Sequence, residues 1–187
     1  EIDRVCLFTA SPMHADGTDM FPSIGRDQAA TFKTLLRDSA VRIINAEYFP
    51  VVAGRDVDDY LPDIWLAAEL GAKRLVTHIH ETDPNRAHDQ LSALCGMAAA
   101  SGLDVGLEFT GFASGCGSLA AAVALHDQVD RSNLKIAVDA LHLFRTGGTL
   151  EQLRVVDPAI IGYAQLCDGP DFRLSSNYLD EAMNRMI

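Results

Sequence analysis

Three short apolar runs in the sequence each end in a side chain that can offer oxygen ligands to a metal ion. Glu108 ends the run V-G-L-E, Asp139 ends I-A-V-D, and Gln165 ends G-Y-A-Q. A carboxylate at the end of a buried segment is costly unless it is paired, hydrated or bound to a cation. Oxygen donors suit Mg²⁺ or Mn²⁺, and Zn²⁺ or Co²⁺ become possible if a histidine joins them. The three residues predict one divalent metal ion, with capping of neighbouring loops as the alternative.

Two further polar residues follow Asp139 at short spacing. His142 comes three residues after it and Arg145 six residues after it, before Gly147 and Gly148. An imidazole there can donate to a substrate oxygen, and a guanidinium can pair with a carboxylate or phosphate. We expect both residues to lie in a loop and to bind substrate. The alternatives are a loop histidine bonded within the protein and a surface salt bridge.

A third group of candidates lies earlier in the chain. His78 and His80 form an H-x-H pair at the end of the run L-V-T, and Glu47 ends the run I-I-N-A-E. Alternation along a strand places both histidines on one face. We expect His78 and Glu47 to line a substrate site. A separate zinc site, made by the histidine pair with Glu81 and Asp83, is the alternative for His78.

The elements that must position these residues repeat along the chain. Six β-branched or apolar runs begin at intervals of roughly 24 to 36 residues, which suggests strands separated by helices. The runs begin at Val5, Val41, Leu75, Val105, Ile136 and Ile160. Helical periodicity fills the segments 28–36, 57–70, 86–100, 117–129 and 149–155.

Strands that are apolar on both faces and alternate with helices indicate a parallel sheet covered by helices. An open doubly wound sheet would carry G-x-G-x-x-G at its first helix if it bound a dinucleotide, and the sequence has no such motif there. An even repeat favours a (β/α)8 TIM barrel, which needs about 250 residues. We therefore predict one α/β domain over residues 1–187, a TIM barrel with about six βα units present and its first and last units missing.

Composition limits the classes of partner. The chain has a formal net charge of −11 and no run rich in lysine and arginine, so nucleic acid is not an expected partner. No apolar run approaches the roughly 20 residues of a membrane span. The four cysteines are far apart, and we read them as reduced thiols in a cytoplasmic protein. The composition is compatible with assembly into a homo-oligomer.

The motifs around the candidate ligands resemble those of a known superfamily. The sequence carries L-E at 107–108, D-A-L-H at 139–142 and Q-L-C-D at 165–168, in that order. It is similar to the xylose isomerase-like TIM-barrel superfamily, which includes sugar phosphate isomerases and epimerases, endonuclease IV-type enzymes and dehydroshikimate dehydratases. The resemblance implies that Glu108, Asp139 and Gln165 bind one divalent metal and that His142 contacts substrate.

Two departures from the superfamily pattern bear on function. Most of its isomerases have a histidine where Gln165 stands, and a glutamine there resembles some dehydroshikimate dehydratases. The fourth ligand implied by the resemblance, a glutamate on the last strand, has no counterpart in these residues. We expect that ligand outside the present sequence.

The resemblance implies a metal-dependent isomerase or epimerase acting on a small sugar, sugar phosphate or related polyol ketone. Glu108 would be the catalytic base beside the substrate carbonyl, with His142 assisting, and the product would form through an enediolate. The first alternative is a lyase of the 3-dehydroshikimate dehydratase type, which Gln165 and Arg145 favour. The second is a non-catalytic ligand-binding barrel.

Overall fold

Six parallel strands form a single curled sheet in the computed structural model, which describes residues 2–11, 14, 16 and 18–166. Each strand pairs with the next one along the chain, so that the order in the sheet is β1-β2-β3-β4-β5-β6. The strands are β1 (Arg4–Phe8), β2 (Arg42–Glu47), β3 (Arg74–Thr77), β4 (Asp104–Glu108), β5 (Leu134–Asp139) and β6 (Ile161–Gln165). The sheet is a half-barrel that matches an incomplete TIM barrel, as predicted.

Helices follow the strands and cover the outside of the sheet. They are α1 (Ala29–Ser39), α2 (Leu61–Glu69), α3 (Pro84–Ala100), α4 (Leu119–Val129), α5 (Ala140–Arg145) and α6 (Leu150–Arg154). The core between helices and sheet is apolar and closed to solvent. Its fully buried members include Leu91 and Leu94 of α3 and Leu75, Leu107 and Ile136 of the sheet. This packing holds the strands, and therefore the residues at their ends, in fixed relative positions.

The predicted strand ends agree with the structure. Glu47, Glu108, Asp139 and Gln165 are the last residues of β2, β4, β5 and β6, and His78 directly follows β3. The helical segments were also predicted, with ends that differ by a few residues. Parallel strands place all of these polar residues at one edge of the sheet.

One prediction at this edge is wrong. The residues after Asp139 form the short helix α5 and not a loop, so His142 lies in a helical turn and Arg145 ends it. The cause is Asp139 itself, whose side chain accepts from two backbone N–H groups and caps the helix N-terminus.

Several sequence features lie outside the described residues or were tested only in part. Asp168 and Cys167 are beyond the described part of the chain. Cys6, Cys95 and Cys116 are free thiols. Among the described residues, no helix is long and apolar enough to cross a membrane.

Candidate functional site

Register brings the two predicted carboxylates to the same face of the sheet. Glu108 of β4 lies opposite Ala137 of β5, and Asp139 follows Ala137 by two residues. Because side chains alternate along a strand, Ala137 and Asp139 point to the same face. His142, in the first turn of α5, joins them. Ligand atoms of Glu108, Asp139 and His142 all lie within 4.8 Å of one another.

All three side chains of this cluster are buried. Asp139 is 0% exposed, His142 3% and Glu108 7%. The Oδ1 atom of Asp139 accepts from the backbone N–H of Leu141 at 2.7 Å and of His142 at 3.3 Å. These bonds fix the carboxylate and the start of α5 together. The cap therefore sets the position of His142 as well as that of Asp139.

The two oxygens of Glu108 have different surroundings. Oε2 lies 2.6 Å from Nε2 of His78, which is a short hydrogen bond. Oε1 is buried without a hydrogen-bond partner among the described residues, and it lies 3.9 Å from Nε2 of His142. That separation is too long for a hydrogen bond. Metal–ligand bonds of about 2.0–2.2 Å can span it, so the orphaned oxygen and its neighbours fit a divalent cation.

His78 and His80 share one tyrosine that the sequence analysis did not identify. The Tyr48 hydroxyl lies 3.1 Å from Nδ1 of His78 and 2.9 Å from Nε2 of His80. The ring of Tyr48 also meets the ring of His78 edge-on, with centroids 4.7 Å apart. Both histidines therefore contact Tyr48. The feature of the sequence that could have identified Tyr48 is its position directly after Glu47, the last residue of β2.

The alternative zinc site at the histidine pair is not formed. Glu81 instead pairs with Arg86 at 3.0 Å, and Asp83 caps the N-terminus of α3. Within the described residues, the cluster of Glu108, Asp139 and His142 is the only group of histidine, cysteine and acidic side chains placed to hold a metal ion.

An aromatic side chain closes one wall of the site. Phe112 packs against His78 and His142, with ring centroids 5.9 Å and 5.6 Å apart. It belongs to the glycine-rich loop 111–117, where Gly115 donates its N–H to the Ile79 carbonyl at 2.9 Å. This contact ties the loop to the end of β3. Sequence analysis did not identify Phe112 as a site residue.

The remaining predicted residues lie at the ends of β2, α5 and β6. Glu47 ends β2, and loss of solvent there, with the neighbouring charge of Glu108, raises the pKa of Glu47 to about 8. Gln165 lies opposite Asp139 in the register of β5 and β6 and is partly exposed. Arg145 is partly buried at the end of α5. The roles predicted for Glu47, His78, Arg145 and Gln165 stay predictions.

Comparison with known proteins identifies the family. The chain matches the model of a family described as xylose isomerase-like TIM barrel over residues 7–184. It has no match among curated proteins.

Solved structures of low sequence identity share the fold. A xylose isomerase-like TIM barrel/4-hydroxyphenylpyruvate dioxygenase fusion protein has 19% identity and a TM-score of 0.75, over 92% of this chain and 28% of that one. The IOLI protein with a binding zinc atom has 18% identity and a TM-score of 0.69, over 78% of this chain and 58% of that one. D-psicose 3-epimerase has 14% identity and a TM-score of 0.65, over 87% of this chain and 67% of that one.

These likenesses also show a range of activities on one scaffold. A 3-keto-D-glucoside 4-epimerase from E. coli and a probable 3-DHS dehydratase from Bacillus anthracis are similar as well. The chain spans about a quarter of the fusion protein and little more than half of the zinc protein. Identities this low establish the fold alone. With the family match over residues 7–184, they show that the chain belongs to the xylose isomerase-like TIM barrel family.

Proposed function

We propose that the chain is the metal-binding part of an isomerase or epimerase that acts on a small sugar, sugar phosphate or related polyhydroxylated ketone. Glu108 removes a proton from the carbon beside the substrate carbonyl, an enediolate forms, and the proton returns to the same or the neighbouring carbon. The observation that supports this most is the buried Glu108 carboxylate, with one oxygen held by His78 and the other 3.9 Å from Nε2 of His142, in a cluster that includes Asp139. The similarity to D-psicose 3-epimerase agrees with this class.

One divalent cation belongs to the proposal. Glu108, Asp139 and Gln165 would hold it, and Mn²⁺, Mg²⁺, Co²⁺ or Zn²⁺ suits these ligands. When bound, it would polarise the carbonyl and offset the negative charge that develops on the substrate oxygens. The IOLI protein, with its zinc atom, shows that this fold can bind such an ion.

The substrate contacts come from residues around the cluster. His142 donates to a substrate hydroxyl or carbonyl oxygen, and Arg145, almost one helical turn later, pairs with a phosphate or carboxylate group. Glu47 and His78 line the side of the site towards β2 and β3. Phe112 covers His78 and His142 and keeps water from that wall.

A dehydratase is the second candidate. It begins with the same proton transfer to Glu108, after which the hydroxyl on the next carbon leaves with a proton as water and a carbon–carbon double bond forms. Gln165, an amide where most isomerases of the superfamily have a histidine, favours this reaction. The similarity to a probable 3-DHS dehydratase points the same way.

Two assays on the intact protein separate these candidates. In D₂O with added metal, an isomerase or epimerase is expected to place deuterium on carbon in ketoses, their phosphates or inositol-like ketones. A dehydratase is expected to convert 3-dehydroshikimate with rising ultraviolet absorbance. Glu108→Gln should abolish either activity, whereas Glu151→Gln, on the exposed face of α6, should not. Binding of these compounds without turnover would instead support a ligand-binding barrel.

A separate pair of variants tests the ligand set. Gln165→Ala is expected to weaken metal binding by about tenfold or more. His142→Ala is expected to keep the metal and to raise the free-energy barrier behind kcat/KM by about 2–4 kcal/mol. Metal content by elemental analysis distinguishes them. Loss of metal in His142→Ala with retention in Gln165→Ala would make His142 the third ligand.

A further inference from the structure

A row of hydrogen bonds runs from the surface of the site to Glu108. It joins Nε2 of His80 to the Tyr48 hydroxyl at 2.9 Å, that hydroxyl to Nδ1 of His78 at 3.1 Å, and Nε2 of His78 to Oε2 of Glu108 at 2.6 Å. Three elements supply these side chains: the end of β2, the segment after β3 and the end of β4. The row therefore links three consecutive βα units through side-chain hydrogen bonds.

The backbone around this row is fixed. The N–H of His80 donates to the Val51 carbonyl at 2.8 Å, and the Ser114 hydroxyl donates to the His80 carbonyl at 3.1 Å. Tyr48 donates its own N–H to the Ala10 carbonyl at 3.0 Å. The backbones of His80 and Tyr48 are thus held independently of the side-chain bonds of the row.

Counting protons gives the row a direction. An ionised carboxylate only accepts, so Nε2 of His78 must carry a proton to bond with Glu108. In neutral His78, Nδ1 then has a lone pair and accepts from the single proton of the Tyr48 hydroxyl. That hydroxyl oxygen is left to accept from Nε2–H of His80. Burial lowers the pKa of His80, which agrees with a neutral ring at the outer end.

We propose that Tyr48 is a positioning residue that fixes His78 in the tautomer with its proton on Nε2, so that His78 donates to Glu108. The donation occupies Oε2 and leaves the buried Oε1 without a hydrogen bond to any described residue, 3.9 Å from Nε2 of His142. His78 then acts through Glu108, since both of its ring nitrogens bond to protein side chains. The effect on catalysis rests on the proposed function, whereas the tautomer does not.

Nitrogen NMR of the intact protein tests the tautomer directly. With ¹⁵N-labelled histidine and Mg²⁺ as the diamagnetic metal, the signals of His78 are assigned by their loss in His78→Asn. The expected spectrum has a protonated Nε2 and an unprotonated Nδ1 that accepts a hydrogen bond. In Tyr48→Phe the Nδ1 signal should shift towards that of a nitrogen without a hydrogen bond.

Tyr60→Phe is the matched control. Tyr60 is buried, and its hydroxyl donates to the Pro50 carbonyl at 2.9 Å and to no member of the row. Tyr60→Phe should also lower stability, but it should leave the His78 signals unchanged. With an active substrate, Tyr48→Phe should lower kcat about tenfold, the size of one lost hydrogen bond, with little change in KM.

The outcomes separate the two proposals. A wild-type spectrum with a protonated Nδ1 on His78, or unchanged His78 signals in folded Tyr48→Phe, would overturn the positioning role. The wild-type spectrum alone decides if Tyr48→Phe does not fold. The expected spectra without turnover of any substrate would contradict the proposed function and leave the positioning role standing.

Discussion

Asp139 does two things at the scale of one residue. Its carboxylate caps α5 through Oδ1, and it belongs to the cluster with Glu108 and His142. The cap requires only an acceptor oxygen, whereas holding a cation beside a second buried carboxylate requires charge. A neutral acceptor at this position can therefore separate the two roles.

Asp139→Asn is expected to fold and to lose the metal. Asparagine caps helices about as well as aspartate, so the metal-free variant should unfold near the temperature of the metal-free wild type. Saturating metal should stabilise the wild type, by about 2.7 kcal/mol at a hundredfold excess over Kd, and leave the variant unchanged. Calorimetry with and without chelator measures both. Asp83→Asn, at the cap of α3, is the control; stoichiometric metal in Asp139→Asn would contradict the assignment.

Glu47 should make stability depend on pH. Its folded-state pKa of about 8 exceeds the ordinary value of 4.5, so the folded protein holds this proton more tightly than the unfolded chain does. The resulting stabilisation is complete below pH 4.5 and is lost as pH rises to about 8. In metal-free protein, urea unfolding at several pH values should show a steeper decline for wild type than for Glu47→Gln. Equal slopes would rule out this contribution.

At the scale of elements, the residues at the strand ends could be predicted from the sequence. The conformation and contacts of the segments after the strands could not. Apolar runs with polar last residues marked Glu108, Asp139 and Gln165, because burial along a strand is a local property of the sequence. Helix α5 was missed because its six residues are too few for a periodic pattern, and a single cap defines it. Tyr48 and Phe112 were missed because their contacts depend on how separate loops meet.

Two glycine-to-alanine variants, one in the loop that carries Phe112 and one on α3, test how much that loop contributes to stability and activity. A Cβ on Gly115 would lie 2.8 Å from Cγ2 of Ile79 and would also meet the Glu81 backbone carbonyl, so the loop must move. Gly115→Ala should therefore lower both stability and activity. Gly96→Ala on α3 meets nothing within 4 Å and should stabilise by about 1 kcal/mol. Denaturant unfolding compares them, and a Gly115→Ala protein as stable as wild type would contradict this view.

At the scale of the molecule, charge argues against one class of partner. A net charge of −11 repels a phosphate backbone over a Debye length of about 10 Å at 0.1 M salt. We expect no retardation of duplex or single-stranded DNA in gel-shift assays at low salt, with or without metal. Salt-sensitive binding there would refute this prediction. Assembly into homo-oligomers and the treatment of residues 1–187 as one domain stay predictions.

The sequential order of the strands also shapes how the site comes together as the chain folds. His78, Glu108 and Asp139 are separated by 30 and 31 residues, so each contact among them closes the loop of a single βα unit. Closure entropy grows only with the logarithm of loop length, and contacts of short sequence separation favour fast folding. Docking of β4 between β3 and β5 is then the event that creates the hydrogen bond of Glu108 to His78 and its approach to Asp139 together. The site is therefore complete only when three neighbouring βα units have docked, and slower docking of β4 is expected to delay its formation.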